Sequence, residues 1–180
     1  MKTLSYISAF LLFTFYLVSH AAVAETAVEF SMVEKTVKPI KFFYGEYQLS
    51  GKDMHKQGDE IAQKTAFAIA TKTSTVLDGP FTYIFENVSS FDPEKITAQI
   101  GWPVDQEAQP VGSFLYKETK PFKCLATEFK GSHKDLPRFW KKLVTMAIAK
   151  GYKVTGEGRT LITLAGQDGY VAAHLQLGIM

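Results

Sequence analysis

Apolar positions in the second half of the chain change period along its length. Leu136, Trp140, Leu143, Val144 and Ala147 fall at i, i+4, i+7, i+8 and i+11, the stripe of one helix face. Asp135 is the expected N-cap, Pro137 suits the first turn, and Lys150-Gly151 is a stop signal. On either side the pattern alternates instead. Phe114 to Glu118 and Phe122 to Lys130 read as strands with a break at Pro121. Arg159 to Leu164 and Tyr170 to Ile179 read as two more, joined by a turn through Gly166-Gln-Asp-Gly169.

The first half repeats this order. At an offset of 82, six of the sixteen positions from Pro39 to Met54 are identical to those from Pro121 to Leu136. They include Glu46/Glu128, Ser50/Ser132 and Asp53/Asp135. Ala68-Ile-Ala70 lies over Ala147-Ile-Ala149, and Gln99 to Val104 lies over His174 to Ile179, at an offset of 75. Loop insertions account for such a drift. The expected first unit is a strand near 40–49, a helix near 54–72 and strands near 81–87 and 96–104. Asp105 to Pro110 is a polar linker closed by proline. The chain therefore reads as an α+β protein made by tandem duplication of a strand-helix-strand-strand unit. Repeat one covers about 28–104 and repeat two about 111–180. An antiparallel sheet carries two helices, and the pseudo-twofold junction is the natural ligand cleft.

Residues 1–24 form a separate object. Lys2 precedes an uncharged apolar run from Leu4 to Val18, and Ala22-Val23-Ala24 has the small-x-small pattern of a signal-peptidase site. The run is shorter than the roughly 20 residues that a spanning helix needs. Cleavage after Ala24 and a periplasmic or secreted location are expected, with no stable membrane insertion afterwards. Charge is nearly balanced, 20 Lys+Arg against 18 Asp+Glu, without a basic cluster. That argues against a nucleic-acid partner, and too few residues precede the first repeat for a helix-turn-helix. The single cysteine, Cys124, excludes an intramolecular disulfide and reads as a small buried hydrophobe.

Gly79-Pro-Phe-Thr-Tyr-Ile-Phe-Glu-Asn87, Phe91-Asp-Pro-Glu94 and Gln99-Ile-Gly-Trp-Pro-Val104 together resemble the GyrI-like effector-binding domain. This is the small-molecule module found behind AraC- and MerR-type DNA-binding domains and also as a free-standing protein. The likeness spans nearly all of 28–180. Where the family usually has Arg-Gly-Pro-Tyr, this chain has Lys130-Gly-Ser-His133. The resemblance implies a cleft lined by aromatics and commonly holding a buried Glu that pairs with a cationic ligand. The matching positions here are His174, whose symmetry mate is Gln99, and Thr160, with Ile162 in place of a nearby aromatic. The frame is kept and the acids are missing.

The expected ligand-binding residues are Tyr83, Phe85, Gln99, Trp102, Thr160, Ile162 and His174. Tyr83 and Phe85 share a strand face with Phe81, and Trp102 stands near a strand end. No metal site, cofactor or catalytic residue is expected, because His55 and His133 lie at helix starts and His20 leaves with the signal. The leading reading is an exported protein holding a small apolar or aromatic ligand. Alternatives are a hydrolase of small electrophiles, for which His174 is the one available base, a haem or tetrapyrrole carrier like the SOUL-type proteins, and a partner-binding module with a filled cleft.

Overall fold

A computed structural model of the chain describes residues 30–88, 92 and 94–180; the signal peptide expected over 1–24 lies outside them. The element order is β1 (Val33–Val37), β2 (Lys41–Leu49), α1 (Gly51–Lys72), β3 (Phe81–Phe85), β4 (Ile96–Pro103), β5 (Leu115–Glu118), β6 (Phe122–Ser132), α2 (Leu136–Ala149), β7 (Val154–Ala165) and β8 (Tyr170–Ile179). All eight strands form one antiparallel sheet in the order β1-β6-β8-β7-β3-β4-β2-β5. That order is its own mirror when β2, β3 and β4 are laid over β6, β7 and β8.

Strand register supports the duplication residue by residue. Glu46 pairs with Gln99 in the first half, and Glu128 pairs with His174 in the second. Ile84 faces Gln99, and Leu161 faces His174. Ile84 and Leu161 are therefore equivalent, and so are their neighbours Tyr83 and Thr160. Those two are also direct partners across the β3–β7 ladder. The pseudo-twofold axis passes through this pair.

Two edge strands complete the pattern by exchange. β1 opens repeat one but pairs with β6 of repeat two, whereas β5 opens repeat two but pairs with β2 of repeat one. The sequence reading anticipated β5 and had no counterpart for β1. Its sequence, VEKTV, is largely exposed and pairs on one side only, so it lacks a buried alternation.

Both helices pack on one face. α1 begins three residues earlier than periodicity suggested, because the Ser50 side chain caps it by accepting from the Asp53 N–H at 3.1 Å. α2 departs from expectation at its start. Asp135 makes no capping bond. A 3-10 turn over His133–Asp135 precedes the helix instead, and the Ser132 hydroxyl accepts from Lys134 N–H at 3.3 Å. From the expected stripe, Trp140, Leu143 and Ala147 are buried while Leu136 and Val144 pack at its margin.

Alternation gives the sheet two distinct faces. Towards the helices point Phe81, Tyr83, Phe85, Ile96, Ala98, Ile100, Leu125, Phe129, Ala173, Leu175 and Leu177, which form the main core with Met54, Ile61, Trp140 and Leu143. On the far face Phe42 and Tyr44 stack at 5.3 Å and pack with Ile84. Cys124 is also there, fully buried, and burial pushes its thiol up, as suits a structural residue. Among the described residues no helix is long and apolar enough to cross a membrane.

β2 and β4 approach so closely at Gly101 that a methyl group there would run into the Phe43 carbonyl oxygen and lie 2.6 Å from Tyr44 Cα. Backbone cannot yield as a side-chain tip can. Gly101→Ala is expected to destabilise the fold by more than ~2 kcal/mol, measured as a shift of the urea midpoint; a midpoint unchanged from the parent would refute this packing.

Candidate functional site

The cavity on the axis lies between the sheet and the starts of both helices. Its floor is Tyr83 and Phe85 of β3, Ile96 of β4 and Thr160 of β7. Gly51 and Met54 of α1 close one side, and His133, Leu136, Pro137 and Trp140 close the other. Its volume is about 40 Å³, space for a few water molecules and far below the ~300 Å³ of a typical ligand pocket.

Aromatic rings build its walls in a chain of contacts. Phe81 meets Tyr83 edge-on at 5.2 Å, Tyr83 stacks over Phe85 at 6.3 Å, and Phe85 meets Trp140 edge-on at 6.2 Å. Trp140 reaches in to the axis and donates its indole N–H to the buried Thr160 hydroxyl at 3.0 Å. Tyr83 is buried, with its hydroxyl over Gly58 of α1, where no side chain intervenes. Burial, with Asp59 adding to it, pushes its phenol well above the usual range, so it stays protonated.

Beside the cavity wall, the ring of His133 stacks on that of His55 with centroids 4.2 Å apart. His55 belongs to α1 and His133 to the turn before α2, so this contact joins the two repeats. The His133 N–H donates to the Gly169 carbonyl at 2.9 Å, which pins the turn to the β7–β8 connection. Burial foremost, then the neighbouring His55, hold His133 down to about 4, with Asp59 opposing. Its imidazole is neutral at pH 7.

The seven expected site residues do not form one site. Tyr83, Phe85 and Thr160 line the cavity. Trp102 and Ile162 share the helix-side face and pack against the core; Trp102 donates to the Ala62 carbonyl at 3.1 Å and contacts Phe81. Gln99 and His174 lie on the opposite face. Their strand neighbours Ala98, Ile100, Ala173 and Leu175 point at the helices, so they point away. Gln99 is surrounded there by Glu46 at 3.5 Å, Glu86 at 3.4 Å and Lys117, whose ammonium donates to its amide oxygen. His174 sits between Glu128 and Leu161 in the ladder.

Met54, His133, Leu136 and Pro137 were missed as lining residues. Each belongs to the start of a helix, and only tertiary packing brings the two starts together. His55 and His133 were noted individually, but no local pattern signals their stacking. Among the described residues, no group of three or more His, Cys, Asp or Glu side chains is placed to hold a metal ion.

Comparison with known proteins turns on this architecture. No family model matches the sequence, and no curated protein does either. Solved structures do. The crystal structure of the EcmrR C-terminal domain superposes with a TM-score of 0.72 at 10% identity, covering 84% of this chain and 98% of that one. This chain has the GyrI-like fold. Against EcmrR in its complex with DNA, this chain spans only 57% of the EcmrR chain, with a TM-score of 0.71 and 12% identity over 83% of this chain. SAV2435 bound to tetraphenylphosphonium gives a TM-score of 0.55 at 9% identity, over 83% of this chain and 94% of that one. A hydrolase encoded by lin2189 of Listeria innocua gives 0.51 at 11% identity, over 86% and 94%. At such identities the likeness is one of fold.

Two expectations test the site. Trp140→Phe removes the donor from a hydroxyl that is 1% exposed, and is expected to cost about 1–3 kcal/mol. In Thr160→Val the cost of removing the indole donor is smaller, a coupling that a double-mutant cycle reads directly. The second concerns pH. A free histidine titrates near 6.5 and folded His133 near 4, so the fold favours the neutral form. This contribution is fully present above about pH 6.5 and is lost as pH falls through about 4. His133→Phe should flatten that part of the stability profile, seen in denaturant midpoints between pH 7 and 4.

Proposed function

We propose that the protein is an exported small-molecule binder that holds an uncharged, apolar or aromatic ligand in the cavity on its pseudo-twofold axis. The observation that carries this reading is the lining. Phe85, Tyr83, Trp140, Met54, Ile96 and Leu136 supply aromatic and aliphatic surface, and no carboxylate is among them. A buried acid is what a cation among rings requires. The fold shared with SAV2435, whose bound molecule is tetraphenylphosphonium, supports a small-molecule role. Export rests on the n-region, apolar run and Ala22-Val23-Ala24 pattern of residues 1–24.

Binding requires the cavity to enlarge. The first turn of α2 is the wall suited to move, since it lacks a side-chain cap and is entered through a 3-10 turn. The bound state is then a minor state of the free protein that the ligand populates. The hydrolase alternative gains no support from His174, which would act on the far side of the sheet.

Thermal-shift measurements on the protein starting at Glu25 test this. Neutral aromatics are expected to raise Tm more than tetraphenylphosphonium or haemin. Tetraphenylphosphonium stabilising best would overturn the claim of an uncharged ligand, and haemin doing so would favour a tetrapyrrole carrier. Phe85→Trp, which fills the cavity, should abolish the shift while leaving a folded circular dichroism spectrum.

A further inference from the structure

Folding gathers charge that the linear chain disperses. The longest basic run in the sequence is Lys141-Lys142, yet between Asp135 and Glu157 stand five basic residues and no acidic one. Arg138, Lys141, Lys142, Thr145 and Ile148 recur at helical spacing opposite the buried Trp140, Leu143 and Ala147, so they share the solvent face of α2. Lys134 lies one turn before them, beside Asp135, and the exposed Lys150 and Lys153 follow the helix. Ile148 is 58% exposed among these cations.

Nothing on this face answers the charge. The ion pairs among the described residues are Glu60–Lys64, Glu34–Lys123, Glu128–Lys130 and Glu157–Arg159, and none uses a cation of this segment. Lys142 lies over the Phe30 ring at 4.9 Å, which leaves its ammonium free of any carboxylate. Arg138 stands three and four residues before Lys141 and Lys142, a spacing at which like charges destabilise a helix. The other repeat carries no such face. At the offset of 82, Gly58 falls on Trp140 and Ile61 on Leu143, and all four are buried. Asp59 and Glu60 of α1 therefore stand where α2 has Lys141 and Lys142. The shared fold is satisfied by mixed signs at these positions, so the single sign on α2 answers to something outside the fold. From Glu25 onward the rest of the chain is net acidic.

We propose that the solvent face of α2 docks on the anionic headgroups of a phospholipid bilayer. Five cations along one helix fit an extended polyanion. Ile148 among them fits a surface with hydrocarbon beneath its charges, whereas a nucleic-acid backbone offers that side chain nothing. The choice of a bilayer rests also on the export reading above, and the cavity plays no part in it. The apolar side of α2 is committed to the sheet, so the contact is adsorption without insertion of the helix.

Co-sedimentation of the protein from Glu25 onward with vesicles of mixed phosphatidylglycerol and phosphatidylcholine, against phosphatidylcholine alone, tests the assignment. Binding to the anionic vesicles only is expected, with release as salt rises from about 0.05 to about 0.5 M. Each basic side chain near an anionic surface is worth about fivefold. Lys141→Asp with Lys142→Glu, which installs the α1 residues, should therefore weaken partitioning by at least about 25-fold. Lys56→Asp with Lys72→Glu makes the same change of net charge on α1 and should weaken it by less than about threefold. Because Lys142 covers Phe30, the salt series on the unaltered protein is a measurement that no substitution disturbs. No binding to the anionic vesicles, equal binding to the neutral ones, or equal losses in the two variants overturns the inference. So does a DNA duplex that binds more tightly than the vesicles at the same salt. N-terminal sequencing of the protein recovered from cells tests export by itself, so a retained signal peptide and a failure to bind vesicles are told apart.

Discussion

The β3–β7 ladder is the constraint on which the rest of this structure depends. It runs from Phe81–Ile162 to Phe85–Gly158 and joins the repeats at the centre of the sheet. Its register decides which residues meet under the helices. Slipping it by one residue would turn Arg159 and Leu161 towards α2 and carry Thr160 away from Trp140. Arg159 is almost fully buried on the far face, paired with Glu157 at 2.8 Å and lying 4.2 Å from the Phe122 ring. Moved under Trp140 it would be a charge among rings without a partner. The alternative registers are thereby disfavoured by both faces at once.

The two faces divide the chemistry. Helix side, the sheet is apolar and the polar atoms are few and placed. On the far side Gln99, Lys117, Glu46 and Glu86 form a partly solvated network, with Lys117 over the Tyr44 ring. Burial lowers Lys117 from its ordinary value, with nearby carboxylates opposing. Charge has not been removed from the junction between the repeats. It has been kept on the side that the helices do not cover.

Much of the architecture was legible in the sequence because it is periodic. The α2 stripe, the β8 limits and the duplicated order all follow from spacing, and alternation put Tyr83 and Phe85 on one face, while Thr160 beside them was named by the family resemblance alone. The same alternation, carried along β4 and β8, sets Gln99 and His174 opposite to their apolar neighbours; homology of position to an acidic residue is silent about which face a side chain occupies. Ser50 capped its helix as Ser residues do, while its repeat counterpart Ser132 capped a 3-10 turn, a difference that Pro137 imposes one residue inside α2. His133 meeting His55 lay beyond local signals, since the contact spans 78 positions and depends on where two helices start.

The exchange of β1 and β5 has a mechanical meaning. Each repeat's outer edge is held by a strand that belongs in sequence to the other, so the halves are joined at three places across the sheet: both rims and the centre. Splaying them apart would require all three ladders to open together. A single repeat could satisfy the same hydrogen bonds only by trading strands with a second copy, and the fused chain carries that bargain within itself. Compliance is left to the layer outside the clasp. The helices lie outside the clasp, held to the sheet by side-chain packing and not by its ladders.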